Sequence, residues 1–151
     1  MKRIILNIGD IVVSEKPAVL ETVLGSCVAV CLWDEGLKIG GMNHFMLPDV
    51  TEGIKNPLYC GSESIETLVS GFAKTGIDTG RLRAKIFGGG KVIKGFGEHL
   101  DIGRENVRIA KEILNGYGIP IVREFTHPDY GIKVVFYSAT GKAFVKQLQD
   151  E

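Results

Sequence analysis

The sequence has no excess of charge of either sign and no hydrophobic run long enough to cross a bilayer. Its 18 lysines and arginines balance 18 aspartates and glutamates, so the formal net charge is zero. This balance gives no support for general binding to nucleic acid or to an anionic membrane surface. Asn7 and Asp10 interrupt the apolar stretch that a signal peptide would need near the start. We therefore expect a cytoplasmic protein that is not inserted into a membrane.

Cysteine is also scarce, and the three that are present predict no disulfide framework. If a strand begins at Val28, Cys27 and Cys31 share one face of it and lie about 13 Å apart. A disulfide needs Cα atoms within roughly 7 Å, and two ligands of one zinc ion would also have to be closer. We therefore expect reduced thiols. Cys31 lies inside an unbroken apolar run and Cys60 at a loop end, so both are predicted to be structural.

Hydrophobic periodicity predicts one α+β domain spanning residues 1–151. With 44% hydrophobic and 24% charged residues, the composition is that of a globular protein large enough to bury a core. The order of the elements predicts a layered β-sheet core flanked by helices. The predicted strands cover residues 3–8, 11–14, 19–24, 28–33, 37–46, 82–87, 119–125, 133–137 and 143–148, and the predicted helices cover 62–75 and 103–115, the second with Asp101 as its N-cap and Gly116 and Gly118 at its end.

The strongest functional signal is a cysteine followed seventeen residues later by a histidine. Cys27 follows a Gly25-Ser26 break and opens a β-branched run, so its side chain can reach a cleft. Residues 34–36 predict a hairpin turn that brings His44 onto the neighbouring strand. A thiol beside an imidazole is the pairing that a cysteine nucleophile needs. The alternative is that both residues are core residues, which each one alone would favour.

The Gly88-Gly89-Gly90-Lys91 segment does not fit a phosphate-binding Walker loop. Such a loop needs Ser or Thr after the lysine, whereas Val92 follows here, and Ala84 stands where its first glycine belongs. The triple glycine is interpreted either as a close approach of backbone to a ligand or as tight internal packing. The residues alone do not favour one over the other.

The chain resembles the CheD family of chemoreceptor glutamine deamidases. The resemblance covers nearly the whole chain and is carried by residues 24–31, 41–48, 85–90, 102–107, 118–120 and 139–142. It implies a layered fold similar to the catalytic domain of cytotoxic necrotizing factor and hydrolysis of receptor glutamines to glutamates. Some members also hydrolyse receptor glutamate methyl esters. In many species a member binds the CheC phosphatase, so the chemoreceptor and CheC are the implied partners.

The resemblance also implies roles for particular residues. Cys27 would be the nucleophile and His44 the general acid and base, with no metal or organic cofactor. The family's third catalytic residue is a threonine shortly before the cysteine, which favours Thr22, whereas spacing from Cys27 favours Glu21. We expect Thr22, with a bulge before Gly25 restoring the register. The candidates for contacting the substrate or its oxyanion are the backbone around Ser26 and Cys27, together with Gly25 and Asn43.

Other interpretations remain open at this stage. A non-catalytic chemotaxis regulator that binds CheC would share the fold but not the thiol reactivity, and a thiol hydrolase of small amides is the enzymatic alternative. Residues 125–131 depart from the Gly-Gly that family members often carry there, so contacts in that segment are expected to differ. The loop over residues 48–61 and the turn at 88–91 are predicted to form the walls of the substrate cleft.

Overall fold

A computed structural model describes residues 1–91 and 101–148. Within these ranges the chain forms nine strands, two α-helices and two short 3-10 turns, which confirms the predicted α+β class. The strands are β1 (Lys2–Ile5), β2 (Ile11–Ser14), β3 (Ala18–Leu24), β4 (Val28–Asp34), β5 (Ile39–Asn43), β6 (Arg83–Gly88), β7 (Ile121–Thr126), β8 (Ile132–Tyr137) and β9 (Ala143–Gln147), the helices are α1 (Gly61–Lys74) and α2 (Ile102–Tyr117), and the 3-10 turns are Pro57–Tyr59 and Thr79–Arg81.

The strands form two sheets, and the chain passes from one to the other just before Cys27. The first sheet has the order β1-β3-β8-β9 and the second the order β2-β5-β4-β6-β7. β3 and β4 are consecutive in sequence but belong to different sheets, so residues 25–27 make the crossing. One hydrophobic core lies between the sheets, and a second lies between the five-stranded sheet and the two helices. The molecule therefore has three layers, and both helices lie on the same side.

β4 is the central strand, because both of its faces are covered. All seven of its residues are buried. Ala29, Cys31 and Trp33 face the core between the sheets. Val28, Val30 and Leu32 face the core beneath the helices. This double burial explains the unbroken apolar run, which alternates in direction although it does not alternate in polarity.

The two helices follow their predicted patterns closely. Asp101 is the N-cap of α2, as predicted, and its side chain accepts a hydrogen bond from the Arg104 N–H. The predicted end of the helix at Gly116 is wrong. Gly116 remains helical, and Gly118, with φ of 72°, ends the helix in the left-handed conformation that glycine adopts readily. Neither helix in the described ranges has the length and hydropathy needed to cross a membrane.

The largest error in the predicted strands concerns the segment that carries His44. A strand was expected over residues 37–46, but β5 covers only Ile39–Asn43. The chain leaves the regular ladder at His44 and rejoins β4 through a single bridge between Val28 and Phe45. The hairpin between β4 and β5 is present as predicted, and its turn includes Lys38 with φ of 58°.

Packing between the sheets predicts a large difference between two phenylalanines of the first sheet. Phe136 is fully buried and its ring meets Trp33 of the second sheet at a centroid distance of 6.1 Å, whereas Phe144 is 59% exposed. We expect Phe136→Ala to lower the free energy of unfolding by about 3–5 kcal/mol. Phe144→Ala should change it far less, as measured by urea titration. Equal losses would contradict the placement of the core between the sheets.

Candidate active site

The register of the second sheet places Cys27 and His44 on the same face. Val28 and Phe45 exchange two backbone hydrogen bonds, each 3.0 Å long. Cys27 and His44 are therefore diagonal neighbours across this pair, a relation in which Cα atoms lie about 7–8 Å apart and the side chains lie closer. Their shared face is the one that carries Ala29 and Cys31 into the core between the sheets. The predicted hairpin thus makes the segments of the two residues neighbours, although no hydrogen bond joins Cys27 to His44 Nε2 in the described part of the chain.

The first sheet supplies a hydroxyl to the histidine. Leu20 and Leu24 of β3 point into the core between the sheets, and Thr22 shares their direction because side chains alternate along a strand. Thr22 Oγ1 lies 2.6 Å from His44 Nδ1, and both residues are buried. Of the two candidates for the partner of His44, the structure brings Thr22 to the imidazole.

Glu21 points the other way. Its carboxylate lies on the outer face of the first sheet, paired with Arg3 and Lys133. The Arg3 hydrogen bond is the main reason that the pKa of Glu21 lies below its ordinary value, and the Lys133 hydrogen bond lowers it further. With these partners the Glu21 side chain is only 4% exposed.

The expected bulge before Gly25 is also absent. β3 pairs with β8 in unbroken register from Val19 to Leu24. Counting alternate residues back from Cys27 favoured Glu21 as the partner of His44. The count fails because β3 and β4 lie in different sheets. The facing of Thr22 is set by the first sheet alone and needs no irregularity.

The contacts of Thr22 determine which nitrogen of His44 carries the proton. Thr22 Oγ1 donates its only proton to the Leu6 carbonyl at 2.8 Å. It must then accept from His44, so the proton of the neutral imidazole is on Nδ1. The lone pair is left on Nε2, which is buried and has no protein partner among the described residues. This nitrogen is the one available to act as a base.

Burial favours the uncharged forms of both Cys27 and His44. Burial is the main influence on His44 and lowers its pKa, while the nearby Leu6 carbonyl and the Asp10 carboxylate act in the opposite direction. Burial raises the pKa of the half-buried Cys27 thiol, and its own backbone N–H opposes this. The free site therefore favours a thiol beside a neutral imidazole over a preformed ion pair.

The other two cysteines lie in different environments. Cys31 and Cys60 are fully buried, and burial raises the pKa of both thiols. Asp49 and Glu63 raise the pKa of Cys60 further. Both thiols are therefore less acidic than an exposed cysteine and closed to solvent.

Asn43 does not lie where a substrate contact would require. Its side chain is on the opposite side of the sheet from His44, where Oδ1 accepts from the Val30 N–H at 2.7 Å and Nδ2 donates to Ser64 Oγ at 3.0 Å. These bonds fasten β5 to β4 and α1. Placing the Asn43 side chain among the oxyanion candidates was wrong, because adjacent residues of an extended chain point to opposite faces.

The triple glycine packs beneath the loop that carries the cysteine. The Gly90 N–H donates to the Gly25 carbonyl at 2.8 Å and the Gly89 N–H to the Cys27 carbonyl at 2.9 Å. A Cβ on Gly88 would lie 2.2 Å from the Cys27 carbonyl oxygen, so only glycine fits there. Of the two interpretations of this segment, the structure shows tight internal packing.

The glycine turn binds carbonyl groups of the cysteine loop but not the N–H groups of Ser26 and Cys27. In the part of the chain that the structure describes, neither donates to the backbone carbonyl of another residue. Both residues are partly exposed. These donors therefore remain candidates for binding a developing oxyanion.

Three contributors to the site were not identified from the sequence. Leu6 accepts from Thr22, Gly9 donates its N–H to the His44 carbonyl at 2.8 Å, and Asn106 of α2 donates to the carbonyls of Ser26 and Met46. Leu6 and Gly9 contribute backbone atoms, which every residue type carries, so the sequence could not single them out. Asn106 lies in a segment that was quoted for the family resemblance, but its contacts depend on the packing of α2 against the sheet.

The divergent segment at residues 125–131 lies behind the glycine turn. His127 adopts a left-handed conformation with φ of 62°, and its Nδ1 lies 3.0 Å from the Gly89 carbonyl oxygen. The backbone N–H of His127 donates to the Gly88 carbonyl, and the backbone N–H of Lys91 donates to the Pro128 carbonyl. Residues 125–131 thus support the turn at residues 88–91, and that turn holds the loop that carries Cys27.

Comparison with known proteins identifies the family of the chain. A family model described as CheD chemotactic sensory transduction matches residues 46–147, more than half of the chain. The chain belongs to the CheD family. The resemblance inferred from its motifs is thereby confirmed.

Full-length relatives extend the similarity over the residues before 46, which include Cys27 and His44. A probable chemoreceptor glutamine deamidase CheD from Laribacter hongkongensis is 38% identical over 146 residues, covering 94% of this chain and 70% of the relative. A protein of the same name from Rhodospirillum rubrum is 41% identical over 150 residues, covering 99% of this chain and 84% of the relative. A third, from Thiobacillus denitrificans, is 39% identical over 145 residues.

The hydrogen-bond network predicts the tautomer of His44. In the ¹⁵N spectrum of the wild-type protein at neutral pH, His44 should show a protonated Nδ1 and an unprotonated Nε2. Thr22→Val keeps the shape of the side chain but removes the hydroxyl that fixes this form, so a mixture of tautomers is expected. Glu21→Gln, on the outer face, is the matched control and should leave the His44 signals unchanged. A tautomer change in Glu21→Gln but not in Thr22→Val would contradict the network.

Proposed function

We propose that this chain is a protein-glutamine deamidase that converts glutamines of chemoreceptors to glutamates, with Cys27 as nucleophile and His44 as general acid and base. The observation that carries the proposal is the buried imidazole fixed by Thr22, on the face that carries Cys27 and with no partner for Nε2 among the described residues. The relatives, 38–41% identical, bear the name of the same activity. No part of the reaction calls for a cofactor.

Acylation begins when Cys27 Sγ attacks the carbon of the glutamine side-chain carboxamide. His44 Nε2 takes the thiol proton as the C–S bond forms, and the carbonyl oxygen becomes an oxyanion. His44 then gives this proton to the nitrogen, and the C–N bond breaks to release ammonia. The product is a thioester between Cys27 and the former glutamine side chain.

Deacylation reverses the roles of the same two residues. His44 takes a proton from water, whose oxygen attacks the thioester carbon. The C–S bond breaks, the proton returns to Cys27, and a glutamate side chain is released. A glutamate methyl ester offers the same acyl carbon with methanol as the leaving group, so we extend the proposal to receptor methyl esters.

The electrostatics of the site suit this sequence of steps. His44 Nε2 can accept the thiol proton only while the imidazole is uncharged. Burial lowers the pKa of His44 and therefore favours the uncharged imidazole. The N–H groups of Ser26 and Cys27 are proposed to bind the oxyanion. A preorganised donor of this kind contributes roughly 2.7–4 kcal/mol to transition-state stabilisation. The Thr22 hydroxyl holds the ring in place as the imidazolium forms and disappears.

The substrate glutamine must project from the surface of its receptor into this site. The loop at residues 48–61 remains the proposed wall on the His44 side, where Leu47 bridges to Cys60. The turn at residues 88–91 faces the cysteine loop through its backbone, and only Lys91 of the turn is exposed. We therefore assign Lys91 and the 48–61 loop, in place of the buried glycines, to contact with the receptor.

Replacement of the cysteines tests the nucleophile. Cys27→Ala should abolish glutamine-to-glutamate conversion in a purified receptor cytoplasmic fragment, read by peptide mass spectrometry. Cys31→Ala and Cys60→Ala are matched controls and should keep most of the activity, because both thiols are closed to solvent. Full activity in Cys27→Ala would overturn the proposal. Glutamate formation by neither wild type nor variant would favour the alternative of a non-catalytic regulator that binds the CheC phosphatase.

The pH dependence of Cys27 alkylation tests the partnership with His44. In the wild type, His44 can hold the thiol proton, so labelling by iodoacetamide should begin at a pH below the raised pKa of the isolated thiol. In His44→Ala only the thiol titrates, and the midpoint of the labelling curve should move to higher pH. Turnover should fall by about 10²–10⁴-fold. Superimposable labelling curves would show that the two side chains do not interact.

A further inference from the structure

Asn106 joins the two backbone segments that carry the proposed catalytic pair. It lies on α2 and is fully buried. Its Nδ2 donates to the Ser26 carbonyl and to the Met46 carbonyl, both at 3.0 Å. Since both partners are acceptors, the NH₂ group and not the oxygen must face them, and the orientation of the amide is fixed. One side chain thus uses its two amide protons to bind two separate backbone segments.

The Ser26 and Met46 carbonyls lie beyond the end of the regular backbone pairing between β4 and β5. The Asn43 side chain takes the Val30 N–H, so the regular pairing stops before His44. Beyond that break, Val28 and Phe45 are the remaining backbone pair. Ser26 and Met46 flank this pair on its far side, and Asn106 links them where no backbone bond does.

We propose that Asn106 is a positioning residue that sets the separation between Cys27 and His44. The proposal rests on the proposed deamidase mechanism and deepens it. Ser26 is bonded directly to Cys27, and Met46 is two residues beyond His44, so a link between their carbonyls fixes both ends of the pair. A shift of about 1 Å in such a pair is enough to slow a reaction by 10²-fold.

α2 is itself firmly placed, which lets Asn106 act as a fixed reference. Val107 and Ala110 lie in the core beneath the second sheet. A Cβ on Gly103 would lie 2.5 Å from the Gly89 carbonyl oxygen, so the first turn of the helix rests on the glycine turn. The same turn binds the Gly25 and Cys27 carbonyls. The cysteine loop is therefore held from two sides.

The remaining atom of the amide indicates a role in geometry more than in stability. Asn106 Oδ1 is buried and has no protein partner among the described residues. An unpaired buried oxygen opposes the stability gained from the two hydrogen bonds. The amide supplies a fixed distance between two carbonyls, which an apolar side chain of similar size would not supply.

A double-mutant cycle on Cys27 alkylation tests this role. Asn106→Leu keeps the volume but removes both donors, and Asn106→Asp keeps the shape but presents oxygens to the two carbonyls. Each is combined with His44→Ala, and iodoacetamide labelling of Cys27 is followed by mass spectrometry. Ser138→Ala is the matched control, because the buried Ser138 Oγ accepts from the Ala18 N–H at 2.8 Å at the far end of β3.

With His44 present, both Asn106 variants should slow labelling by about 10–100-fold. In the His44→Ala background they should cause no further slowing, because no partnership is left to misalign. The Ser138→Ala protein should be labelled at the wild-type rate. Thermal unfolding of every variant shows which of them are folded.

Three results would overturn the proposal. These are equal slowing in both backgrounds, slowing no greater than in Ser138→Ala, and failure of both Asn106 variants to fold, which would make Asn106 a stability residue. The cycle needs no receptor, so its outcome is independent of the assigned substrate. If wild type forms no glutamate on a receptor fragment but the cycle is non-additive, the proposed function fails while the positioning role stands.

Discussion

The hydrogen bond between Thr22 and His44 joins the two sheets of the molecule at the candidate active site. Thr22 comes from the first sheet and His44 from the edge of the β4–β5 ladder in the second, and their contact is 2.6 Å. Because both groups are buried, each must find its partner inside the protein. The chain Leu6–Thr22–His44 meets this need and leaves Nε2 as the free base. The stacking of the sheets therefore fixes the chemistry that the imidazole can perform.

The site also depends on the regular pairing of β4 with β5 ending just before His44. Asn43 turns its side chain into the ladder, and the sheet loses its regular pairing at His44. The cysteine loop is the short crossing between sheets, and it is held by the glycine turn and by Asn106. Burial acts on both members of the pair, since it raises the pKa of the thiol and lowers that of the imidazole. Both shifts favour the neutral form of the pair, and in the proposed mechanism the thiol proton is transferred as the substrate is attacked.

Local patterns predicted most of the elements, and the turn after β4 predicted that the segments carrying Cys27 and His44 are neighbours, because these features depend on residues close in sequence. The choice between Glu21 and Thr22 could not be made by counting along the chain. That count assumes one sheet, and the crossing at residues 25–27 changes sheets. Asn106 is 80 residues from Ser26 in sequence, and its contact follows only from the docking of α2. Asn43 was a candidate for contact with the substrate, but its side chain lies on the opposite side of the sheet from His44, because an extended chain turns adjacent side chains to opposite faces.

The central claim, that Cys27 forms a covalent bond to the substrate carbonyl with His44 as its base, is tested most directly by trapping the thioester. Wild-type protein would be mixed with a receptor cytoplasmic fragment, quenched in acid within the first turnover and examined by intact-mass and peptide mass spectrometry. The account predicts a transient adduct equal to the sum of the two chains less one ammonia, attached at Cys27 and coupled to the glutamine side chain. Glutamate formation without such an adduct, or with the adduct on another residue, would contradict it.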